Sequence, residues 1–592
     1  MPSASVTMRS GACCIYNHRI IMNNFDEIPA HLTGLNPQQL DAIRCHEKIV
    51  FVNAGPGTGK TTLLVSKLID HLITSHSPQK IVALSYTNTA ARQIGERFYR
   101  QLGQSFIPFD FFNGTIHSYC FRMMKSYYER TGRPFGYTIL DDEELAELSK
   151  EVQEQSGDLS QYKRQLKLIS VEDILNLYLE LLEKDMLYRD YMKEQATFMA
   201  IDEAQDLSAA NYEILDRMLA LIPDLKLFLV GDPRQNIFEF NGGSYRNLDS
   251  FLSKHRHQVR NLTITYRCGQ KIADYVNTFQ FTDCENHPLQ SHSKEEGILT
   301  VRQASDEQSE AREVIDSIKQ MGRLEDCAVL SNNLKYLETL IRELKHEQIP
   351  YKVFGGRKLV KRHIRFLNHI LRILDNENPY SISKIAQYAG LDIMQEGKKR
   401  KSLFFTTELG QLILSVRDDC ASLGFTDLMN CVLERIMRDP EDDETISQDY
   451  DALLLLSMQY QTISDYLMAF ASDKETFAMF YRKDYEDCDI APDGDYLTVS
   501  TIHSAKGLEW DTVFVMGLCE GNFPNSYFCK DKPESEQQEF FNNEWKKMYV
   551  AATRARKQLV LSYPSSITRK GYTFKKQPSR FIPISHGYHT QQ

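Results

Sequence analysis

The stretch KIVFVNAGPGTGKT, residues 48–61, decides the fold of this chain. Residues 48–53 form a short β-branched and aromatic run, which predicts a buried strand. A glycine-rich turn follows, and residues 60–72 then place apolar side chains at helical spacing. Glycines let backbone N–H groups approach phosphate oxygens without a Cβ in the way. A strand that passes through such a turn into a helix therefore indicates a phosphate-binding loop.

The residues of this loop have expected roles toward a bound nucleotide. We expect Lys60 to reach the β- and γ-phosphates and the Thr61 hydroxyl to hold Mg²⁺, while the helix N-terminus adds a favourable dipole. The strict pattern begins with glycine, and this chain has alanine at that position. The predicted nucleotide-binding residues of the loop are Ala54, Gly55, Gly57, Thr58, Gly59, Lys60, Thr61 and Thr62.

An acidic pair follows the strand-like run 198–201. We expect Asp202 to hold the Mg²⁺ shell and Glu203 to orient and deprotonate the attacking water. Such a pair by itself is more often a solvated loop. In a chain that also carries the phosphate loop, it indicates hydrolysis of a nucleoside triphosphate.

The rest of the chain predicts two α/β cores, each interrupted by a helical insertion. Strand-like runs alternate with helical segments, which predicts parallel sheets. The runs of the first core are 48–53, 81–85, 198–201 and 225–230, and those of the second are 298–301, 328–331, 351–354, 497–501, 513–516 and 558–562. The predicted ranges are 1–22 for a disordered extension, 23–119 and 196–280 for the first core, 120–195 for its insertion, 281–375 and 490–592 for the second core, and 376–489 for its insertion.

Composition narrows the class of protein. The 592 residues include 69 Lys and Arg against 80 Asp and Glu, a net charge of −11, which argues against a generic basic nucleic-acid binder. Apolar runs fall far short of the ~18–20 residues that span a membrane, so no membrane partner is expected. The 12 cysteines form no CxxC pair, which favours reduced thiols in a cytoplasmic protein over a zinc site.

The order of the motifs resembles the UvrD/Rep family of superfamily 1 helicases across most of both cores. Residues 35–39, LNPQQ, are similar to the family's leading motif, in which Gln39 is expected to read adenine. Residues 85–91, SYTNTAA, and 114–117, GTIH, resemble motifs that contact DNA. The DNA-contacting residues implied there are Tyr86, Thr87, Asn88 and His117.

The resemblance continues through the motifs that join the two cores. Residues 230–240, VGDPRQNIFEF, resemble a coupling motif in which Gln235 senses the γ-phosphate and Phe240 stacks on a base. The later motifs are TYR at 265–267, TIHSAKGLE at 501–509 and YVAATRA at 549–555. They imply Tyr266 packing on adenine, Arg267 and Arg554 as arginine fingers, Glu509 near the ribose and phosphates, and His503 near a DNA phosphate.

The resemblance implies two RecA-like parallel-sheet cores and an ATP-dependent, Mg²⁺-requiring motor. It implies 3′-to-5′ movement on single-stranded DNA and unwinding of tailed duplexes in repair, replication or recombination. The short insertion 376–489 keeps open a motor subunit of a nuclease-containing repair or anti-phage complex, whose nuclease partner would be a separate chain. A nucleotide-gated scaffold with degenerate chemistry and an RNA-directed motor are further alternatives.

Overall fold

The computed structural model of the chain describes residues 32–75, 79–102, 109–154, 156–238, 242–293, 295–356, 358–390, 398–420, 422–438, 444–474, 476–483, 494–569 and 572–583. Two predictions, the N-terminal extension 1–22 and base stacking by Phe240, lie outside these residues. Within the described ranges, no helix is both long and apolar enough to cross a membrane.

The helices are α1 (Pro37–Arg44), α2 (Lys60–Thr74), α3 (Asn88–Leu102), α4 (Ile116–Arg130), α5 (Asp142–Glu154), α6 (Leu159–Leu166), α7 (Val171–Lys184), α8 (Met186–Met192), α9 (Ala209–Leu221), α10 (Tyr245–Lys254), α11 (Gln270–Asn277), α12 (Glu307–Lys319), α13 (Leu334–His346), α14 (Arg362–Asn376), α15 (Pro379–Tyr388), α16 (Lys398–Phe404), α17 (Glu408–Cys420), α18 (Phe425–Val432), α19 (Glu444–Ser457), α20 (Ile463–Ser472) and α21 (Glu534–Ala552). A π-helical turn, Leu433–Met437, continues α18.

The strands are β1 (Ile49–Ala54), β2 (Gln79–Leu84), β3 (Phe109–Gly114), β4 (Thr138–Ile139), β5 (Leu168–Ile169), β6 (Phe198–Ile201), β7 (Lys226–Gly231), β8 (Gln258–Leu262), β9 (Ile264–Thr265), β10 (Gln290–Ser291), β11 (Ile298–Ala304), β12 (Cys327–Ser331), β13 (Tyr351–Phe354), β14 (Lys358–Val360), β15 (Tyr481–Lys483), β16 (Leu497–Thr501), β17 (Trp510–Val515), β18 (Ala555–Pro564), β19 (Ser566–Arg569) and β20 (Tyr572–Lys575).

The first core is a six-stranded parallel sheet in the order β3-β2-β6-β7-β1-β8. The six residues of β1 are all buried, as their β-branched and aromatic run predicts. Two of its strands, β3 and β8, were absent from the sequence-based prediction. Both lie at the edges of the sheet, and β8 buries only Leu262, so its sequence lacks the apolar run that marks a central strand.

The second core is also a six-stranded parallel sheet, in the order β11-β18-β17-β12-β16-β13. All six strands match runs predicted from the sequence. Strands β16, β17 and β18 follow the second insertion in the chain, and they pair with β12 and β11 from before it. The prediction of two RecA-like α/β cores with helical insertions is therefore confirmed.

Two helices pack against a different unit from the one to which the sequence-based ranges assign them. Helix α11 lies within the predicted first-core range, but its Ile272 and Val276 pack with Leu561 of the second core. Helix α14 lies within the predicted second-core range, but its Ile364 and Leu371 join the apolar cluster of the second insertion. Both helices lie where the chain passes from one unit to the next. The spacing of apolar residues predicts a helix there, but it does not indicate which unit the helix packs against.

The two insertions pack against each other. Tyr380 of the second insertion lies in an apolar cluster with Leu140, Leu148 and Leu168 of the first. The amide of Asn378 donates to the Leu166 carbonyl at 2.8 Å. The two insertions are therefore joined by apolar packing and by a hydrogen bond.

Candidate active site

The phosphate loop joins β1 to α2 at the edge of the sheet that faces the second core. Gly57 and Gly59 have φ values of 70° and 82°, in the left-handed region that favours glycine. A side chain at Gly57 would collide with Arg267 and with Thr265 Oγ1, so the approach of these residues also requires glycine. Thr265 Oγ1 donates to the Pro56 carbonyl at 2.8 Å, which ties the loop to the segment carrying Arg267.

Lys60 and the two threonines after it occupy the first turn of α2. The Lys60 ammonium donates to the Ala54 carbonyl at 3.3 Å, so its side chain bends back across the loop. The Thr58 hydroxyl donates to the Gly55 carbonyl at 2.8 Å and braces the turn. The predicted loop residues, including Thr61 and Thr62, are thus assembled around one concave turn at a helix N-terminus, which is a suitable shape for phosphate.

The acidic pair lies at the end of β6, beside the loop. Burial, together with the neighbouring Glu203 charge, raises the pKa of Asp202 to about 7. Burial also opposes the ionised form of Glu203, but the cations of Lys60 and Lys506 outweigh it and lower the pKa of Glu203 to about 2. A cation bound beside Asp202 would stabilise its ionised form, and Mg²⁺ prefers oxygen ligands, so Asp202 fits a position for a divalent cation.

Two guanidinium groups lie close together between the cores, with Arg267 directly beside Gly57 of the loop. Arg267 pairs with Glu509 at 2.6 Å and donates to the Thr553 carbonyl at 3.1 Å. Arg554 is 1% exposed and donates to Gln235 Oε1 at 3.1 Å. Burial and the nearby charge of Arg267 lower the pKa of Arg554 to about 9. An anion bound between the two guanidinium groups would stabilise the charged form of Arg554. The site therefore fits the terminal phosphate of a triphosphate.

Contacts across the cleft hold the two cores together in this structure. Lys506 of the second core forms an ion pair with Asp206 of the first and donates to the Gln235 carbonyl at 2.9 Å. The bond from Arg554 to Gln235 also crosses between the cores. The cleft is therefore closed, and the predicted catalytic residues from both cores lie around it.

The residues expected to bind the base lie beside the phosphate loop. Gln39 donates to the Thr58 carbonyl at 2.9 Å and accepts from the Asn36 N–H at 3.0 Å. The Asn36 amide donates to the Tyr266 hydroxyl at 3.0 Å. Gln39 and Tyr266 are thus linked through Asn36, and in this structure the Gln39 amide braces the phosphate loop. Adenine recognition by Gln39 remains a prediction.

The residues expected to contact DNA lie on the other side of the closed cleft. The Tyr86 ring stacks on Phe238 with centroids 5.2 Å apart, and the His503 ring lies 6.3 Å from Phe238. Thr87 accepts from the Ala90 N–H at 3.2 Å, next to Asn88 at the start of α3.

His117 stands apart from the aromatic group, in the first turn of α4. Loss of solvent around the ring lowers its pKa to about 4, so the ring is neutral at pH 7. A neutral ring can donate one hydrogen bond to a phosphate but brings no charge to it.

A cavity of about 1080 Å³ runs between the cores beneath the insertions. The first core contributes Thr87 and Arg92, the second Gly355 and Ser504, and both insertions also line it. Lys506 lines the same cavity, and its ammonium lies 4.9 Å from the centre of the Phe238 ring. The phosphate side of the cleft and the cavity are therefore joined through one lysine.

Sequence profiles of known domains match both halves of the chain. The UvrD/REP helicase N-terminal domain matches residues 35–160 and 147–256. The UvrD-like helicase C-terminal domain matches residues 260–403 and 457–566. This chain belongs to the UvrD/Rep helicase family. The resemblance seen in its motifs is thereby confirmed over the greater part of its length.

Individual relatives of this UvrD/Rep-family chain are similar over most of their length. The ATP-dependent DNA helicase PcrA of Bacillus subtilis is 24% identical, with 93% of this chain and 85% of the relative covered. PcrA of Staphylococcus aureus is 25% identical, with 93% and 86% covered. PcrA of Staphylococcus epidermidis is 24% identical over the same shares.

Three charged residues of this UvrD/Rep-family site have no role predicted from the sequence, and two of them, Asp206 and Asp232, are buried. Lys506 and Asp206 form the ion pair across the cleft. Asp232 accepts from the Gln235 amide and from Arg234, both at 2.9 Å, and so orients the proposed phosphate sensor. Lys506 and Asp232 lie inside the motifs at 501–509 and 230–240, and Asp206 lies four residues after Asp202. A charged residue close to the end of a buried strand was the available signal for each of them.

Proposed function

We propose that this chain is an ATP-dependent DNA helicase that moves 3′-to-5′ along single-stranded DNA in the cytoplasm. The closed cleft carries the proposal, because the phosphate loop of one core faces Arg267 and Arg554 next to the other core. The match to helicase domains over both cores supports it, as does the similarity to relatives named as ATP-dependent DNA helicases. Tailed duplexes are the proposed substrate.

The proposed residue roles follow from position and charge. Lys60 and the loop N–H groups bind the β- and γ-phosphates. Thr61 and Asp202 would hold Mg²⁺, which supplies charge neutralisation at the phosphates. Glu203 is ionised at neutral pH, orients the attacking water and accepts its proton. Gln235 reports the phosphate to Arg554, to which it is bonded.

Movement would come from the dependence of cleft closure on charge. With phosphate bound, Arg267 and Arg554 gain a counter-ion that both can reach only in the closed cleft. Loss of the γ-phosphate leaves Arg554 buried beside Arg267, an arrangement that lowers its pKa and favours opening. Lys506 passes each change to the cavity, because it contacts Asp206 on one side and Phe238 on the other.

The division into domains is also proposed. The crossing from the first core to the second lies between Leu262, the last residue of the first sheet, and α11. The second insertion begins near Val360, which shares the apolar cluster of α14. The first insertion, 120–195, keeps its predicted range.

DNA-stimulated phosphate release and strand displacement on duplexes with a 3′ or a 5′ tail test the proposal. We expect hydrolysis that DNA stimulates, and unwinding only from the 3′ tail. Lys60→Ala is expected to lower hydrolysis by at least 100-fold, because the loop loses its phosphate-binding cation. Lys193→Ala, an exposed lysine paired with Asp190, is the control and is expected to match the wild type.

Each outcome has a separate meaning. Normal turnover in Lys60→Ala would contradict the nucleotide site. Unwinding from a 5′ tail would contradict the direction. DNA-stimulated hydrolysis without strand displacement would favour the motor subunit of a nuclease-containing complex, and stimulation by RNA alone would favour an RNA-directed motor.

A further inference from the structure

A short strand places a histidine against the proposed base-stacking tyrosine. Strand β10 pairs in parallel with β9, so that Ser291 lies opposite Thr265. The next residue, His292, donates its backbone N–H to the Thr265 carbonyl at 2.8 Å. Its ring then lies 4.6 Å from the Tyr266 ring, with an angle of 35° between the planes. That separation is within the range of favourable aromatic pairs.

The Tyr266 ring is held at its edge and on one face. Its hydroxyl accepts from the Asn36 amide at 3.0 Å, and its backbone N–H donates to the Gly57 carbonyl at 2.8 Å. One face packs on His292, yet the residue is 44% exposed. Part of the Tyr266 side chain is therefore open to solvent beside the phosphate loop.

The segment that carries His292 is also attached to the phosphate loop. A Cβ at Gly55 would lie 2.5 Å from the Leu289 side chain, so the two segments are in close contact. Leu289 is fixed by two backbone bonds with the Asn277 amide, at 2.8 and 2.9 Å. The aromatic pair therefore stands at a set distance from the loop that would hold the phosphates.

We propose that His292 is a positioning residue for the nucleotide base, which packs Tyr266 from behind so that its open face receives a purine ring. The proposal rests on the proposed binding of ATP. An unsupported surface tyrosine would lose side-chain entropy when a base stacks on it. A ring that is already held on one face loses less, and binding gains accordingly.

Calorimetric titration of the full chain with Mg²⁺-ATP and with Mg²⁺-tripolyphosphate tests this role. We expect His292→Ala to weaken ATP binding by about two- to tenfold, the effect of one aromatic pair. Tripolyphosphate has no base, so its affinity is expected to be unchanged. We expect KM for ATP to rise by the same factor, with kcat within about twofold of the wild type. His292→Phe is expected to restore ATP binding, because it keeps a flat ring.

His346→Ala is the matched control, since this exposed histidine lies at the end of α13, in the second core. Unchanged ATP affinity in His292→Ala would overturn the proposal. An equal loss for ATP and tripolyphosphate would also overturn it, because it would show a damaged loop. Failure of His292→Phe to rescue binding would do the same. If the wild type itself fails to bind ATP, the proposed function is wrong, and that result is distinct from these three.

Discussion

The cleft between the cores and the interface between the insertions both bury charged groups, but their charges are balanced in opposite ways. In the cleft, burial pushes two groups toward their neutral forms, lowering the pKa of Arg554 to about 9 and raising that of Asp202 to about 7. Between the insertions, burial opposes the ionised form of Glu144, but the charge and hydrogen bonds of Arg372 outweigh it and lower the pKa of Glu144 to about 2. The cleft therefore holds charged groups that a bound ligand would neutralise. At the insertion interface, most charged groups already have a partner of opposite charge within the protein.

The insertion interface is built around one buried carboxylate. Arg372 forms an ion pair with Glu144, and a second bond between them measures 2.8 Å. The ring of His369 lies 3.6 Å from the same carboxylate. Asp141 is the exception, because burial and the Glu144 charge raise its pKa to about 6. Removing a charge from either region therefore has a different expected result.

The largest expected effect is the loss of the uncompensated cation in the cleft. Arg554→Ala is expected to lower DNA-stimulated ATP hydrolysis by about 10³-fold or more, the usual contribution of an arginine finger. ATP binding is expected to change far less, because the phosphate loop is intact. Phosphate release at saturating ATP and calorimetric titration measure the two quantities.

Lys557→Ala is the control for this change, since Lys557 lies three residues after Arg554, on β18, and is 61% exposed in its ion pair with Asp511. Turnover in Arg554→Ala within tenfold of the wild type would contradict the finger assignment. It would leave Arg554 as a residue that only joins the cores.

Local sequence predicts the cleft well and the insertion interface poorly, for a physical reason. The loop around Lys60 and the pair at Asp202 each depend on one strand and the turn after it, which the sequence displays directly. The ion pair of Glu144 and Arg372 joins residues 228 positions apart on two helices, and nothing in either helix indicates the partner. The predicted DNA contacts fall between these cases, because Tyr86 and His503 come from different cores and meet only at Phe238.

A smaller effect is expected from removing one partner of the buried ion pair between Glu144 and Arg372. Arg372→Met leaves Glu144 buried without its main partner, and the expected loss in unfolding free energy is about 3–5 kcal/mol. The double variant Glu144→Gln/Arg372→Met removes both charges and is expected to recover most of it. Urea denaturation of the two variants and the wild type measures this. Equal losses in the single and double variants would show that the pair contributes by shape and not by charge.

The smallest expected effect comes from the histidine of the same interface. Burial lowers the pKa of His369 to about 3, despite Glu144 beside it, and Arg372 and Arg365 act in the same direction as burial. Below pH 6.5 the unfolded chain therefore binds a proton at His369 that the folded chain does not bind. The contribution of the neutral His369 to the free energy of unfolding is thus fully present above pH 6.5 and is lost as the pH falls. Between pH 7 and pH 5 the expected loss is about 2 kcal/mol.

His369→Gln is expected to remove that part of the pH dependence, since glutamine keeps a polar side chain but does not titrate. Asp141 changes stability in the opposite sense, because its raised pKa favours the folded chain as pH falls, but it is present in both proteins and cancels in the comparison. Unfolding free energies at pH 7 and pH 5 give the two slopes. If the two proteins lose the same unfolding free energy between pH 7 and pH 5, His369 is protonated in the folded chain as readily as in the unfolded one. The insertion interface would then hold a charge that is not matched by a partner, as the cleft does.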